Sequence, residues 1–418
     1  MRGTEDEARA TAESTARHSY GKLVAFLSAR TRDVTAAEDA LADAFASALA
    51  HWPASGIPDN PEAWLLATAR RKAIDGVRKE KTRINADPHL KLIAEEASEV
   101  IEEGGIPDER LRLMFACAHP AIDPAIRAPL ILQTILGLDA ARIASAFLVS
   151  PSTMGQRLVR AKARIRETGI PFRIPDRPEL PERLDAVLAA IYAAFAEGWA
   201  DPAGTETRRR ELAGEAIWLG RLVASLMPNE PEALGLVSLM LFAEARRAAR
   251  RDTNGGYVPL AEQDVTKWDQ TLITEAEGLL LRASAMGRPG RYQIEAAIQS
   301  AHVVRRSTGQ ADWRAIVDLY GVLAAMVPSP VVAVNRAVAV AQAGHAGDAL
   351  AALDELADDP RLADYQPYWA ARAELLARAG KQAEAATAYD RAIGLEPDPS
   401  VRAFLQERRM AMKPQTSS

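Results

Sequence analysis

The chain has 418 residues, of which 48% are hydrophobic and 26% charged, with a single cysteine and a net charge of −5. That length exceeds one small core and implies two to four domains, while the composition excludes disordered and collagen-like classes. Lone Cys117 excludes an internal disulfide framework and suits a reducing compartment.

The opening stretch MRGTEDEARATAEST is polar and acidic, so no signal peptide is expected. No apolar run approaches the roughly 20 residues of a membrane span. Even VVAVNRAVAVAQA at 331–343 is interrupted by Asn335 and Arg336. A cytoplasmic protein without a membrane partner is the expectation. Abundant alanine, and little alternation of Val, Ile and Thr, predict an all-α fold.

Charge is uneven along the chain. Segments 61–83 and 139–168 carry seven and six Lys/Arg against three and two Asp/Glu, whereas 86–108 carries seven acids against Lys91. Two basic blocks are therefore separated by an acidic one, which a net charge conceals.

The first domain is predicted over 1–83 and contains three helical patterns. Leu23, Val24, Phe26 and Leu27 mark the first. The second, AAEDALADAFASALAHW, sets a stripe of Ala40, Leu41, Ala44, Phe45, Ala48 and Leu49 beside an acidic edge of Glu38, Asp39 and Asp43. PASGIPDNP is predicted to break it, since three prolines and a glycine cannot continue a helix. Asn60 then caps a third helix with Pro61 in its first turn. Trp64, Leu65, Ala69, Ile74 and Val77 form its core face, and Arg70, Arg71, Lys72, Arg78, Lys79 and Lys81 its basic face.

An acidic linker occupies 84–107, read as a charged spacer. The domain at 108–170 begins with ERLRLMFACAHPAI and the apolar PAIRAPLILQTILGL, expected to pack behind the helix that ends at Arg166. Cys117 and His119 stand two apart with no second pair nearby, so no metal site is expected. Residues 138–166 read as two helices joined by a tight turn. Ser150 caps the second and Pro151 occupies its first turn. Met154, Leu158, Ala161 and Ile165 recur on its buried face; Ser152, Thr153, Gln156, Arg157, Arg160, Lys162 and Arg164 supply a polar, basic one. Polar side chains near the start of such a helix reach base edges while basic ones hold phosphates.

The last domain is predicted over 171–418, after the proline-rich PFRIPDRPELPERL. Gly344, Ala349, Leu353, Leu356 and Pro360 match Gly380, Ala385, Tyr389, Ala392 and Pro397, with the glycines 36 residues apart. AGKQAEAATAYDRAIGLEP resembles the second half of a tetratricopeptide unit, an array that binds a protein or peptide partner. DTNGG at 252–256 is a turn rather than a phosphate loop, because it lacks the Lys-Ser/Thr of such a loop. No catalytic constellation and no cofactor motif is apparent.

HSYGKLVAFL, AAEDALADAFASAL and NPEAWLLATARRKAIDGVRK resemble the second conserved region of bacterial sigma factors of the extracytoplasmic-function type. TMGQRLVRAKARIR resembles their fourth region. Gly155 stands where a Lys is common, losing a phosphate contact, and Leu148 where the turn often has Gly, implying a bulkier turn. AEGW at 196–199 and RRAARRDTNGGYVPLAEQDVTKWD at 246–269 resemble stretches of the subgroup bearing a tetratricopeptide-like extension.

The resemblance implies a factor that joins core RNA polymerase through the β′ clamp helices and the β flap, with Glu38, Asp39 and Asp43 on the clamp. It implies −10 DNA held by Asp59, Asn60, Arg70, Arg71, Lys72 and Arg78, and −35 DNA read by residues 151–166. The linker would run through the polymerase cleft. The alternative is a stand-alone helix-turn-helix regulator with a ligand- or peptide-sensing repeat domain, binding duplex DNA without polymerase.

Overall fold

The computed structural model describes residues 2–31, 34–81, 108–168, 175–199 and 207–412, so the predicted linker at 84–107 lies outside the described residues. The described residues are helical apart from short turns and one isolated bridge between Arg251 and Tyr257. The all-α expectation holds. The chain forms two compact units, residues 1–194 and 195–418. Their division falls inside a helix rather than at the proline-rich stretch near 171.

In the first unit, α1 (Arg2–Thr31), α2 (Val34–Ser55) and α3 (Pro61–Lys81) pack against one another. Alanines make the close approach: Ala37, Ala40, Ala44 and Ala48 of α2 are buried beside Leu41 and Trp52, facing Leu23, Val24 and Leu27 of α1 and Leu65 and Ala69 of α3. Leu49, predicted for the buried stripe, is 48% exposed. It lies at the edge of an apolar arc that is narrower than the sequence pattern.

The predicted break at Pro53 is also corrected. α2 continues through Pro53 to Ser55, and the chain turns at Gly56, whose φ is 86°. The Gly56 N–H donates to the Trp52 carbonyl at 3.0 Å, closing the helix one turn beyond the proline. Buried Trp52 anchors that last turn.

The second half of this unit contains α4 (Glu109–Cys117), α5 (Pro124–Thr134), α6 (Ala140–Ala146) and α7 (Pro151–Thr168). Asp108, Asp123 and Asp139 cap the first three by accepting from backbone N–H groups at 2.9–3.0 Å. Helix α5 buries Ile126, Leu130, Ile131 and Leu132 and packs against α7, as predicted from its apolar pattern. α1 also packs on α4, and Gly21 lies so close to the Ile135 carbonyl that a Cβ there would overlap it. Helix α8 (Leu180–Trp199) begins in this unit, where fully buried Arg183 donates to the Phe115 carbonyl at 3.1 Å.

The second unit is built around α10 (Pro231–Glu244), which is buried on every side and packed by α9 (Thr207–Leu226), α11 (Gln270–Ser284) and α12 (Arg291–Val303). A helix apolar all round belongs inside a core. Glu232 accepts from the Tyr292 and Gln293 N–H groups at 2.9 and 3.2 Å and so satisfies the first turn of α12.

After the single turn α13 (Arg305–Thr308) come α14 (Trp313–Met326), α15 (Pro330–Gln342), α16 (Ala346–Asp354), α17 (Gln366–Arg378), α18 (Gln382–Leu395) and α19 (Pro399–Met410). The repeat seen in the sequence has a structural counterpart. Gly344 and Gly380 turn between paired helices with φ of 99° and 76°, and Ala349, Ala385, Leu353 and Tyr389 are buried in one cluster.

Candidate nucleic-acid and polymerase interfaces

The loop between α2 and α3 is short and exposed. Asn60 caps α3 by accepting from the Ala63 N–H at 3.0 Å, which engages its carbonyl oxygen and leaves its amide group outward. Asp59 beside it is exposed. Trp64 is half-buried and meets Trp52 edge to face, with centroids 5.5 Å apart, so its ring serves the packing of this corner.

The basic residues of α3 divide. Arg71 and Lys72 are exposed, whereas the Arg70 guanidinium lies over the Phe26 ring, 4.9 Å from its centroid. Arg70 is thus directed back onto α1 by a cation–π contact. The Arg78 side chain lies outside the described residues.

On α2, Asp39 and Asp43 are exposed and Glu38 is half-buried. Glu38 and Asp39 lie near Tyr20, whose phenol is pushed up to about 12, first by burial and then by these two carboxylates. Sequence reasoning passed over Tyr20; its place in HSYGKL beside the acidic edge was the available signal.

Helices α6 and α7 are joined by a turn at 147–150 in which Leu148 has φ 51°, the one non-glycine residue in the left-handed region among those described. Ser150 opens α7 as predicted: its hydroxyl accepts from the Thr153 N–H at 3.2 Å and donates to the Thr153 hydroxyl at 2.8 Å. Thr153 is therefore partly occupied in the cap. Met154 and Leu158 are buried, while Ser152, Gln156, Arg157, Arg160 and Arg164 are exposed on the other side. Val159 stands among them at 69% exposure.

Lys162 is not on that face. Two residues along a helix rotate the side chain by about 200°, so Lys162 points away from Arg160. Its ammonium group meets Glu38 at 2.8 Å, and both side chains are mostly buried. A residue predicted to hold DNA and one predicted to hold polymerase thus neutralise each other. Beneath them lies buried Cys117, whose thiol is pushed up by burial first and then by Glu38, with Lys162 opposing. His119 accepts from the Ala121 N–H through Nδ1 at 3.1 Å, a local turn contact.

In the second unit, the two stretches singled out from the sequence meet. Trp199 of AEGW is held by Arg247 and Arg250, with guanidinium carbons 5.0 and 4.3 Å from its ring centroid. Arg250 also donates to the Trp199 carbonyl at 2.7 Å. DTNGG is the predicted turn: Asp252 accepts from the Asn254 and Gly256 N–H groups, each at 2.8 Å.

Parts of the sequence are similar to known proteins. Residues 16–83 match sigma-70 region 2, which spans most of α1 through α3. Residues 183–284 match a family of unknown function, DUF6596. An uncharacterized protein of Rhizobium meliloti (strain 1021) is 40% identical over 393 residues, covering 92% of each chain. No solved structure gives a significant match. The chain belongs to the family of that relative, and its residues 16–83 are similar to region 2 of sigma-70 factors, which supports a sigma-factor role in promoter recognition. No described helix is long and apolar enough to cross a membrane.

Proposed function

We propose that this chain is a sigma factor of the extracytoplasmic-function type that joins core RNA polymerase, holds −10 DNA with residues 53–81 and reads −35 DNA with residues 151–166. One conjunction carries the reading. A sigma-70 region 2 over 16–83 is followed, in the same compact unit, by a two-helix element exposing Gln156, Arg157 and Arg160. Alone, that element would suit many regulators; beside region 2 it supplies a second grip on a promoter.

The chemistry of each part fits its role. Gln156 can pair with an adenine edge and Arg157 or Arg160 with guanine or phosphate in the major groove. Arg71 and Lys72 follow phosphates on the −10 side. Asp59 and the outward amide of Asn60 can contact a base turned out of the stack. Exposed Asp39 and Asp43 suit a basic coiled coil on the polymerase β′ subunit, and Glu38 joins them once Lys162 releases it. The second unit, with its paired helices, would modulate this activity through a protein or peptide partner, as in the subgroup with a tetratricopeptide-like extension.

Run-off transcription with purified core polymerase and the chain's own upstream region tests the proposal. A promoter-dependent transcript is expected, and loss of it in the Arg157→Ala/Arg160→Ala variant. A chain that shifts duplex DNA alone but yields no transcript would replace this reading with the stand-alone regulator. Truncation after Trp199 keeps α8 whole and tests modulation: transcript yield that is unchanged would leave the second unit without that role.

A further inference from the structure

The second unit contains a cavity of about 440 Å³, within the range that encloses a small molecule. Its walls come from the stretch after the DTNGG turn and from α12, α14 and α15. Trp268, His302, Trp313 and Tyr320 are among its lining residues, with His302 and Trp313 set edge to face at 5.3 Å. Asn335 and Gln342 place amide groups in the same wall, and Asn335 is exposed at its mouth.

Two guanidinium groups adjoin the cavity, and one carboxylate, Glu295, acts on Tyr320 in its wall. Arg305, in the wall, donates to the Leu260 and Gln263 carbonyls at 2.9 and 3.0 Å, so among the described residues its charge meets backbone dipoles and no carboxylate. Behind the wall, buried Arg246 donates to Gln299 at 2.6 Å and lies 6.0 Å from the Trp268 ring centroid. Its Nη1 has no hydrogen-bond partner among the described residues, and neither does the indole N–H of Trp268. Both cations act on His302, which burial and then Arg246 and Arg305 hold down at about 4, so the imidazole is neutral and acts as a polar aromatic wall. Neither Arg246 nor Arg305 is ion-paired to a carboxylate among the described residues, and an aromatic-lined cavity beside two such guanidinium groups and neutral amides favours a flat, negatively charged guest.

We infer that this cavity binds a small aromatic acid, its ring between Trp268, His302 and Trp313 and its acid group in the field of Arg246 and Arg305. The amides of Asn335 and Gln342 orient it at the mouth. The site does not rest on the sigma reading, and its assay contains neither polymerase nor DNA.

The test is isothermal titration of the full chain with three probes of similar shape: indole-3-acetate, neutral indole-3-methanol and cationic tryptamine. Indole-3-acetate should bind at least about tenfold more tightly than either other probe. Asn335→Asp places a negative charge at an exposed position that carries no core packing; it should weaken indole-3-acetate by about tenfold and narrow or reverse the preference over tryptamine. Equal binding of the three probes, no saturable heat, or an unchanged indole-3-acetate affinity in Asn335→Asp overturns the inference. So does tighter binding of a peptide ending in Trp than of the free acid, which would move the site to a protein partner.

Discussion

Leu148 carries a conformational cost that its sequence position only hinted at. The left-handed region brings a Cβ against the carbonyl and costs an L-residue roughly 1–2 kcal/mol, which glycine avoids. Because Leu148 is half-buried, removing its side chain also loses packing, so the informative comparison is between two truncations. The Leu148→Gly variant should be more stable than Leu148→Ala by about 1 kcal/mol in urea unfolding, the reverse of their order in an ordinary helix. Equal stability would mean that the turn relaxes.

A second residue-scale expectation concerns His302. Its folded pKa of about 4 lies below the ordinary 6.5, so the unfolded chain binds the proton more readily. Its contribution is fully present above pH 6.5 and is lost as pH falls toward 4, an effect on the order of 2–3 kcal/mol. Wild type should lose more stability than His302→Phe between pH 7 and 4.5. Parallel stability profiles would show that the imidazole charges without penalty.

At the scale of elements, the contact between α1 and the end of α5 depends on Gly21. In an open helix, Gly→Ala gains about 1 kcal/mol from propensity. Here the added Cβ overlaps the Ile135 carbonyl, a backbone atom that cannot swing aside, so Gly21→Ala should destabilise the unit by about 3 kcal/mol. Amide exchange near Ile135 should quicken in the same variant. The Glu38–Lys162 pair ties α2 to α7 in the same unit. A double-mutant cycle with Glu38→Gln and Lys162→Ala should return a coupling of about 2 kcal/mol, above the value for exposed pairs. A coupling near zero would place the pair among surface ion pairs.

These elements also show where the sequence was readable. Asn60-Pro61 and Ser150-Pro151 announced two helix starts because capping is local chemistry, and the centres of the buried faces of α2 and α7 followed from period, though not their edges at Leu49 and Ile165. Pro53 misled because a buried Trp52 and a hydrogen bond to Gly56 carry the helix one turn further. Lys162 read as a DNA contact because its partner is 124 residues distant. The aromatic cavity was not legible, since Trp268, His302, Trp313 and Asn335 come from separate elements and none has a distinctive spacing.

Across the whole molecule, net charge and local charge separate. The chain carries −5 overall, yet α7 exposes Arg157, Arg160 and Arg164 together and α3 exposes Arg71 and Lys72. Screening confines each charge to a neighbourhood of about 8 Å at physiological salt, so acids elsewhere barely oppose these cations at a bound phosphate. Promoter affinity should therefore fall with salt as a basic protein's does. Each phosphate contact contributes about 0.9 to the slope of log K against log salt concentration. If Arg157 and Arg160 both hold phosphates, Arg157→Ala/Arg160→Ala should lower the magnitude of that slope by about 2 when promoter binding by the assembled polymerase is titrated with salt. If they read base edges instead, the slope should stay near the wild-type value while discrimination between promoter sequences collapses. A variant that changes neither slope nor discrimination would remove α7 from the promoter interface.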